Sequence, residues 1–212
     1  CEDVALVSCP VVLIDRLTQC GWCDAVGFDN YLGGRLAAQY LVEGGHTRIG
    51  IVTGDIAESS AAERRRGFVD AIEQSGKHFD SSLCVEGDYR FDSGYRAANQ
   101  IIDGGATACF CCNDVMALGF RQRMAERGLH VTEDMQVIGY DNILKRFGLG
   151  WRMTTVEQSV TDLAAACWGM LRKRIDVAVR AKSGTESGDA RPWLSDPQVE
   201  VLTPKLVQAA CA

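Results

Sequence analysis

The sequence is poor in the features that would place it in a membrane or on nucleic acid. It has 4 prolines, 3 histidines and no apolar run near the ~20 residues that span a bilayer. Basic residues are outnumbered as well, since 22 Lys and Arg stand against 28 Asp and Glu, for a formal net charge of -6. Affinity for nucleic acid depends mainly on basic charge, so these residues are not expected to grip phosphates by themselves. We predict a soluble globular chain with no membrane partner.

Two kinds of sequence signal are also missing. No predicted strand is followed by G-x-G-x-x-G, which argues against a dinucleotide enzyme. No signal peptide is evident, and several of the 10 cysteines lie inside apolar runs, where a thiol behaves as a small hydrophobic side chain. A reducing cytoplasm is therefore the predicted location.

Cys20 and Cys23 form a C-x-x-C motif, which allows three interpretations. A redox pair needs a helix that starts at its first cysteine, because the helix N-terminus lowers the pKa of that thiol. Residues 25–28 are typical of a strand instead. A structural zinc site needs a second pair of ligands, and the candidates at 109–112 look like the core of a strand. Ordinary loop thiols are the interpretation we favour.

Strand-like and helix-like runs alternate along most of the chain, which predicts an α/β fold built on doubly wound parallel sheets. At 212 residues the chain has room for one large domain or two small ones. The strand-like runs are 11–15, 25–28, 48–53, 83–85, 107–112 and 136–140, and the apolar stripe of the last helix is Val160, Leu163, Ala164, Cys167, Leu171 and Ile175.

Polar side chains follow most of these strands directly. In open parallel sheets a ligand lies beyond the carboxyl ends of the strands, so we expect the residues at these ends to meet. They are Asp15, Arg16, Asp55, Asp88, Tyr89, Asn113, Asp114, Asp141 and Asn142. Asp and Asn also form caps and turns for local reasons, and we expect Asp114 to be a pure cap. Arg64 is harder to explain locally, because a helix start disfavours a cation.

A series of motifs in this sequence resembles one known family. The series is "PVVLIDR" at 10–16, "GFDNYLGGRLAAQYLVEGGHTRIGIVTGD" at 27–55, "SSAAERRRGFVDAIEQSG" at 59–76, "EGDYRFDSGY" at 86–95, "CCNDVMALGF" at 111–120, "VIGYDN" at 137–142 and "MTTVEQ" at 153–158. Their order is similar to that of the effector-binding domain of the LacI/GalR family of bacterial transcription regulators. The resemblance implies two periplasmic-binding-protein-like lobes of type I, with the N-terminal lobe incomplete in this chain.

The resemblance also implies roles for individual residues. Arg64 would donate paired hydrogen bonds to hydroxyls or a carboxylate of the effector, and Tyr89 would form one wall of the effector pocket. Asn113 and Asp141 would hydrogen-bond the effector. Asp15 and Phe28 would contribute from the N-terminal lobe. These types suit a sugar, because carboxylates and a guanidinium order hydroxyls while an aromatic face covers the ring. The resemblance implies no cofactor, no metal and no catalytic residue, and it makes His46 part of a structural turn.

The resemblance implies a division of the chain and a set of partners. Residues 1–28 would be a remnant of the N-terminal lobe, 29–157 the C-terminal lobe, 158–182 the returning helix of the N-terminal lobe, and 183–212 a linker with the C-terminal strand of the C-terminal lobe. An effector, a sugar or related metabolite, would bind between the lobes and control operator DNA binding by a homodimer through a headpiece that this chain lacks. The protein would be a cytoplasmic repressor rather than an enzyme.

Two other classes of function stay open at the level of sequence. A secreted or periplasmic sugar-binding protein of a transporter would have the same architecture. An enzyme built on the C-x-x-C pair would show dithiol activity that depends on Cys20. The residues do not name the effector or say whether it induces or co-represses.

Overall fold

Two compact units make up the chain in the computed structural model, which describes residues 7–15, 17, 23–131, 133–144, 153–182, 193 and 196–209. The first unit comprises Cys1–Asp29 and Ser159–Thr203, and the second comprises Asn30–Gln158 and Pro204–Ala212. The chain therefore passes between the units three times. The predicted site residues Asp15 and Phe28 fall in the first unit, whereas Cys20 and Arg16 lie outside the described residues.

The first unit contains a parallel sheet of three strands in the order β1-β2-β8. These strands are β1 (Val12–Ile14), β2 (Asp24–Phe28) and β8 (Val199–Leu202), and helix α5 (Val160–Lys182) packs against all three. β2 is central and fully buried, as expected for an apolar run in a parallel sheet. Residues 183–212 were predicted to hold a linker and a C-terminal strand of the C-terminal lobe. Two strands form there: Val199–Leu202 pairs with β2 in the first unit, whereas Lys205–Val207 belongs to the second unit.

The apolar stripe predicted for α5 is only partly correct. The side chains that the structure buries are Met170 and Ala178, whereas Val160 and Ile175 are exposed and Trp168 is 61% exposed. Periodicity finds an apolar face but not which part of it contacts the sheet, because several apolar side chains surround this helix.

The second unit contains six strands in the order β4-β3-β5-β6-β7-β9. Its strands are β3 (Ile49–Thr53), β4 (Cys84–Glu86), β5 (Ala108–Cys111), β6 (Gln136–Asp141), β7 (Thr155–Glu157) and β9 (Lys205–Val207). Its helices are α1 (Asn30–Glu43), α2 (Ser59–Gln74), α3 (Phe91–Asp103) and α4 (Asp114–Glu126). All pairings are parallel except the β7–β9 pairing, which is antiparallel. The predicted α/β class with parallel sheets is confirmed.

Helices cover both faces of this sheet in pairs, α1 with α2 and α3 with α4. The ring of Phe110 stacks on Phe68 of α2 at 5.3 Å between centroids. A side chain added at Gly50, on the neighbouring strand, would instead meet Ile101 of α3. The sheet is thus doubly wound, with its core on both sides.

Helices α1 and α2 approach each other unusually closely at two glycines. A Cβ at Gly34 would overlap the carbonyl oxygen of Arg64, and a Cβ at Gly67 would overlap that of Tyr31. Because glycine has no Cβ, the two backbones can touch at these points. This contact brings Arg64 beside the first turn of α1.

His46 joins three segments at the amino ends of the strands. It follows Gly45, whose φ is 86°, and its ring nitrogens lie 3.0 Å from Thr107 Oγ1 and 2.9 Å from Gln136 Oε1. These contacts fit the structural turn predicted for it.

Among the described helices, none is long and apolar enough to cross a membrane.

Candidate functional site

The candidate site lies at the carboxyl ends of β3, β5 and β6. In the sheet, β3 lies between β4 and β5, the next two strands along the chain. The chain therefore adds β4 on one side of β3 and then crosses to the other side, so the strand order reverses between β3 and β5. In doubly wound sheets such a switch point is where loops separate and a ligand can enter. Arg64, Tyr89, Asn113 and Asp141 all belong to the unit that contains this point.

Arg64 is the most deeply buried charged group of the site, with 4% of it exposed. Its Nε donates to Asn30 Oδ1 at 2.7 Å, and its Nη1 donates to the carbonyl oxygen of Cys112 at 2.7 Å. Its Cζ lies 3.8 Å from the centre of the Tyr140 ring. No hydrogen bond joins Nη2 to a described residue. The guanidinium is therefore held on two sides and retains donor capacity.

The charge of Arg64 is secured by its neighbours. Burial alone would lower the pKa of Arg64, because burial disfavours the charged form. Tyr140, Asp141, Cys112 and Tyr89 raise it, and the pKa of Arg64 ends above its ordinary value. Arg64 is thus a permanent cation, and it lies within electrostatic reach of Asp141 and Tyr89.

Tyr140 and Gln158 extend the hydrogen-bond network around Arg64. Tyr140 Oη donates to Asn30 Oδ1 at 3.4 Å, and Gln158 Nε2 donates to the same oxygen at 3.4 Å and to Tyr140 Oη at 3.3 Å. Burial raises the pKa of Tyr140 well above its usual value although Arg64 lowers it, so the hydroxyl stays protonated. Sequence reasoning missed these three residues as site residues. A signal was present, because Tyr140 precedes Asp141 at a strand end.

Tyr89 and Asn113 are joined directly. Tyr89 has a φ of 63° and packs on Gly54, where a Cβ would overlap its ring. Asn113 Nδ2 donates to the carbonyl oxygen of Tyr89 at 2.9 Å. Burial raises the pKa of Tyr89, and Arg64 lowers it by a smaller amount. The structure therefore joins the loop after β4 to the end of β5, where Arg64 of α2 binds the carbonyl oxygen of Cys112.

The helix cap after β5 is not the residue that the sequence suggested. Asn113 is the N-cap of α4, because its Oδ1 accepts a hydrogen bond from Met116 N at 2.8 Å. Asp114 is buried, and its carboxylate accepts from Thr155 Oγ1 at 2.7 Å and from Ile143 N at 2.8 Å. The expectation that Asp114 is only a cap is wrong, since its oxygens bind other segments.

Asp141 lies where β6 bends. Asp141 and the following Asn142 have φ values of 94° and 55°, which non-glycine residues adopt rarely. Asn142 Nδ2 donates to Glu157 Oε1 at 2.8 Å. Asp141 is partly exposed, and its negative charge raises the pKa of Arg64.

Asp55 and Asp88 have local roles of the kind that turns provide. Asp55 Oδ1 accepts from Ala57 N at 2.9 Å, and Asp88 Oδ1 accepts from Arg90 N at 3.0 Å. Both carboxylates are exposed. They are turn formers.

Asp15 and Phe28 belong to the other unit. Asp15 has a φ of 59° and its amide donates to the carbonyl oxygen of Val26 at 2.9 Å. Phe28 ends β2 opposite Leu202 and is 2% exposed. Their predicted contact with an effector therefore rests on the family resemblance.

The cysteines show no redox helix and no metal centre in the described parts of the chain. Strand β2 begins at Asp24, directly after the buried Cys23, so a strand follows the C-x-x-C motif as predicted. Cys109 and Cys111 are fully buried with their sulfurs 4.0 Å apart. Within the described residues, no group of three His, Cys, Asp or Glu side chains is arranged to hold a metal ion.

Comparison with known proteins places this fold in a family. The family model of the periplasmic binding protein-like domain matches residues 38–190. The HTH-type transcriptional repressor PurR of Pasteurella multocida is 37% identical over 171 residues, which are 80% of this chain and 51% of that protein. PurR of Klebsiella pneumoniae subsp. pneumoniae is 34% identical over 188 residues, which are 87% of this chain and 54% of that protein. The chain thus spans about half the length of these curated relatives.

Solved structures agree with this relationship. The complex of the transcriptional regulator CelR with cellobiose has a TM-score of 0.77 and 28% identity, and the match covers 93% of this chain and 57% of that one. A LacI family regulator from Enterococcus faecalis V583 with bound ribose has a TM-score of 0.77 and 26% identity, and the match covers 94% of this chain and 67% of that one. The chain belongs to the periplasmic binding protein-like family, as an effector-binding domain of the LacI/GalR type. The predicted resemblance is confirmed.

Proposed function

We propose that this chain senses a small polar effector, a sugar or related metabolite, for a cytoplasmic LacI-family transcriptional repressor. The curated relatives are transcriptional repressors by name, and two structural relatives hold ribose and cellobiose. Operator DNA would be bound through a headpiece outside these 212 residues, in a homodimer. The role is one of binding rather than catalysis.

The arrangement of Arg64 is the observation that carries this proposal. Two donors of the buried Arg64 are held by its own unit, and its Nη2 has no hydrogen bond to a described residue, so Nη2 would donate to the ligand. A partly exposed carboxylate, Asp141, and an aromatic ring, Tyr89, belong to the same unit, and both raise the pKa of Arg64. A donor fork, an acceptor and an aromatic face are the groups that order the hydroxyls and cover the ring of a sugar.

The side chains proposed to contact the effector differ in how much hydrogen-bonding capacity they retain. Arg64 and Asp141 would make charge-assisted hydrogen bonds worth roughly 1.5–3 kcal/mol each, so three of them supply much of the ~8 kcal/mol of a micromolar site. Asn113 uses one N–H of its amide for Tyr89 and one lone pair of Oδ1 for the cap, so it would contact the effector through its second N–H or its second lone pair. Asp15 and Phe28 are proposed contacts on the resemblance alone.

A ligand screen followed by variants tests the proposal. Thermal shift with ribose, cellobiose, polyols, nucleosides and purines finds the effector class, because a ligand at 100 times its Kd adds roughly 2.7 kcal/mol of stability. Calorimetric titration of the best ligand then compares Arg64→Ala, Arg64→Lys and Asp141→Ala with Arg66→Ala. Arg66 is an exposed residue of the same helix that pairs with Glu63, which makes it the matched control.

The expected result is loss of saturable binding in Arg64→Ala and Asp141→Ala, with Arg66→Ala unchanged. Arg64→Lys keeps the positive charge but not the planar fork, so it should bind measurably more weakly than the unmodified chain. Unchanged affinity in either alanine variant would remove the site assignment. Failure of all the ligands to shift the melting temperature would remove the proposed effector class.

A further inference from the structure

Asp114 is a buried carboxylate that none of the proposed effector contacts uses. It is the first residue of α4 and is 1% exposed. Its Oδ1 accepts from the hydroxyl of Thr155, the first residue of β7, and its Oδ2 accepts from the amide of Ile143, which follows β6. Since Asn113 already caps α4, the carboxylate of Asp114 serves these two segments instead.

The segment that Asp114 binds is the bend that carries Asp141. Two consecutive non-glycine residues, Asp141 and Asn142, have left-handed φ values of 94° and 55°. Such residues cost of order 1–3 kcal/mol each and persist only where surrounding contacts hold them. Asp114 holds the amide of Ile143, one residue beyond the bend, at 2.8 Å.

Strand β6 is also in close contact with Asp114 just before the bend. A Cβ at Gly139 would overlap Oδ1 of Asp114, so only glycine leaves space for the carboxylate there. The side chain of Asp114 therefore touches β6 two residues before Asp141 and binds the chain two residues after it. Burial raises the pKa of Asp114 above its ordinary value, although the hydrogen bonds from the Thr155 hydroxyl and from the amide of Ile143 lower it.

We propose that Asp114 is a positioning residue, whose carboxylate fixes the bend at Asp141 and Asn142 and thereby aims the Asp141 carboxylate at the effector. The proposal rests on the proposed function for the role of Asp141. It assigns no contact between Asp114 and the effector itself. A purely structural Asp114 would contribute to stability alone, and affinity separates the two roles.

The test compares three variants of the full chain. Asp114→Asn keeps the shape of the side chain but replaces one acceptor oxygen by a donor that faces donors. Thr155→Val removes one donor and leaves the Ile143 hydrogen bond. Met124→Ala is the matched control, because Met124 is fully buried near the other end of the same helix and its truncation should lower stability. The measurements are melting temperature, amide hydrogen exchange of residues 139–144, and the Kd for D-ribose and for cellobiose.

We expect Asp114→Asn to speed exchange at Ile143 and Leu144 and to raise Kd by about tenfold or more, the effect of one lost hydrogen bond to a charged group. Thr155→Val should also speed exchange and raise Kd, but both changes should be smaller. Met124→Ala should lower the melting temperature while leaving exchange in the bend and Kd within twofold of the unmodified chain.

Two results would overturn the positioning role. One is unchanged exchange in the bend of Asp114→Asn. The other is faster exchange with an unchanged Kd, which would show a bend that does not control Asp141. If the unmodified chain binds neither sugar, Kd is measured with the ligand that gives the largest thermal shift in the screen. If no ligand of the screen binds, the proposed effector class fails, and unchanged exchange in Asp114→Asn still overturns the role of Asp114 in fixing the bend.

Discussion

The guanidinium carbon of Arg64 lies 3.8 Å from the centre of the Tyr140 ring, and both residues hydrogen-bond the same oxygen of Asn30. The cation therefore rests on an aromatic face while its Nε is fixed at the start of α1. A cation over a ring out of water is stabilised by about 2 kcal/mol, and the hydrogen bonds add orientation. Arg64 is thus set in place by its own unit before any ligand arrives.

Substitution of Tyr140 should separate the ring from its hydroxyl. Tyr140→Phe keeps the ring under Arg64 and loses two long hydrogen bonds, so the free energy of unfolding should fall by about 1 kcal/mol. Tyr140→Leu also loses the aromatic face, and the fall should reach about 3 kcal/mol. Urea denaturation measures both values. Equal losses in the two variants would show that neither the aromatic face of Tyr140 nor its larger volume contributes to stability.

The close approach of α1 and α2 makes a second prediction. Gly34→Ala should destabilise the second unit by about 2 kcal/mol or more, because the added methyl overlaps the backbone oxygen of Arg64 and forces the helices apart. It should also weaken effector binding by moving Arg64. Gly169→Ala in α5 is the control, since within 4 Å of its added Cβ there is no atom of a described residue apart from its neighbours and its own helix backbone. That change should raise stability by about 0.5–1 kcal/mol in thermal unfolding.

A buried ion pair anchors α5 in the first unit. Arg174 donates to both oxygens of Asp24 at 2.8 and 2.6 Å, and Asp24 is 3% exposed. Arg174→Ala would leave this carboxylate buried without its cation, so we expect a loss of about 3 kcal/mol in unfolding free energy. Arg172→Ala, at an exposed position of the same helix, should change stability by less than about 0.5 kcal/mol. Similar effects of the two variants in chemical denaturation would contradict the role of the pair.

The same pair should make the first unit sensitive to acid. Burial raises the pKa of Asp24, but Arg174 and the amide of Gln198 together lower it by more. The pKa of Asp24 therefore ends below its ordinary value of 3.8. A carboxyl group with a depressed folded pKa contributes stability above its unfolded pKa, and that stability is lost as pH falls through the folded pKa. Asp24→Asn should therefore be less stable at neutral pH and should lose less stability on acidification. A pH series of denaturation curves decides this, and parallel curves for the two proteins would refute it.

The central strands of the second unit, β3, β5 and β6, could be predicted because they are buried on both faces along most of their length. Such strands are continuous apolar runs separated by glycine and polar residues, and the runs at 48–53, 107–112 and 136–140 contain β3, β5 and β6. Motif order then predicted that Arg64 and Asp141 belong to one site. In the structure both lie in the second unit, and Asp141 raises the pKa of Arg64.

Asn113 and Asp114 show where sequence reasoning stopped. Both are short polar residues after a strand, and both can cap a helix, so local chemistry does not distinguish them. Only the position of β7 and of the bend after β6 makes Asp114 an acceptor for Thr155 and Ile143, which leaves the cap to Asn113. The same holds for Tyr140, whose strand was predicted while its contact with Arg64 was not.

The sequence by itself determined the alternation of strands and helices, the family and the side-chain types at the strand ends, because these follow from local hydrophobic pattern and from short motifs. The tertiary structure decided which of those side chains share an oxygen, which carboxylate is buried and which face of α5 meets the sheet. Those outcomes depend on contacts between residues far apart in the chain, such as Asn30 with Gln158 and Asp24 with Arg174, and no local pattern encodes the distance between them.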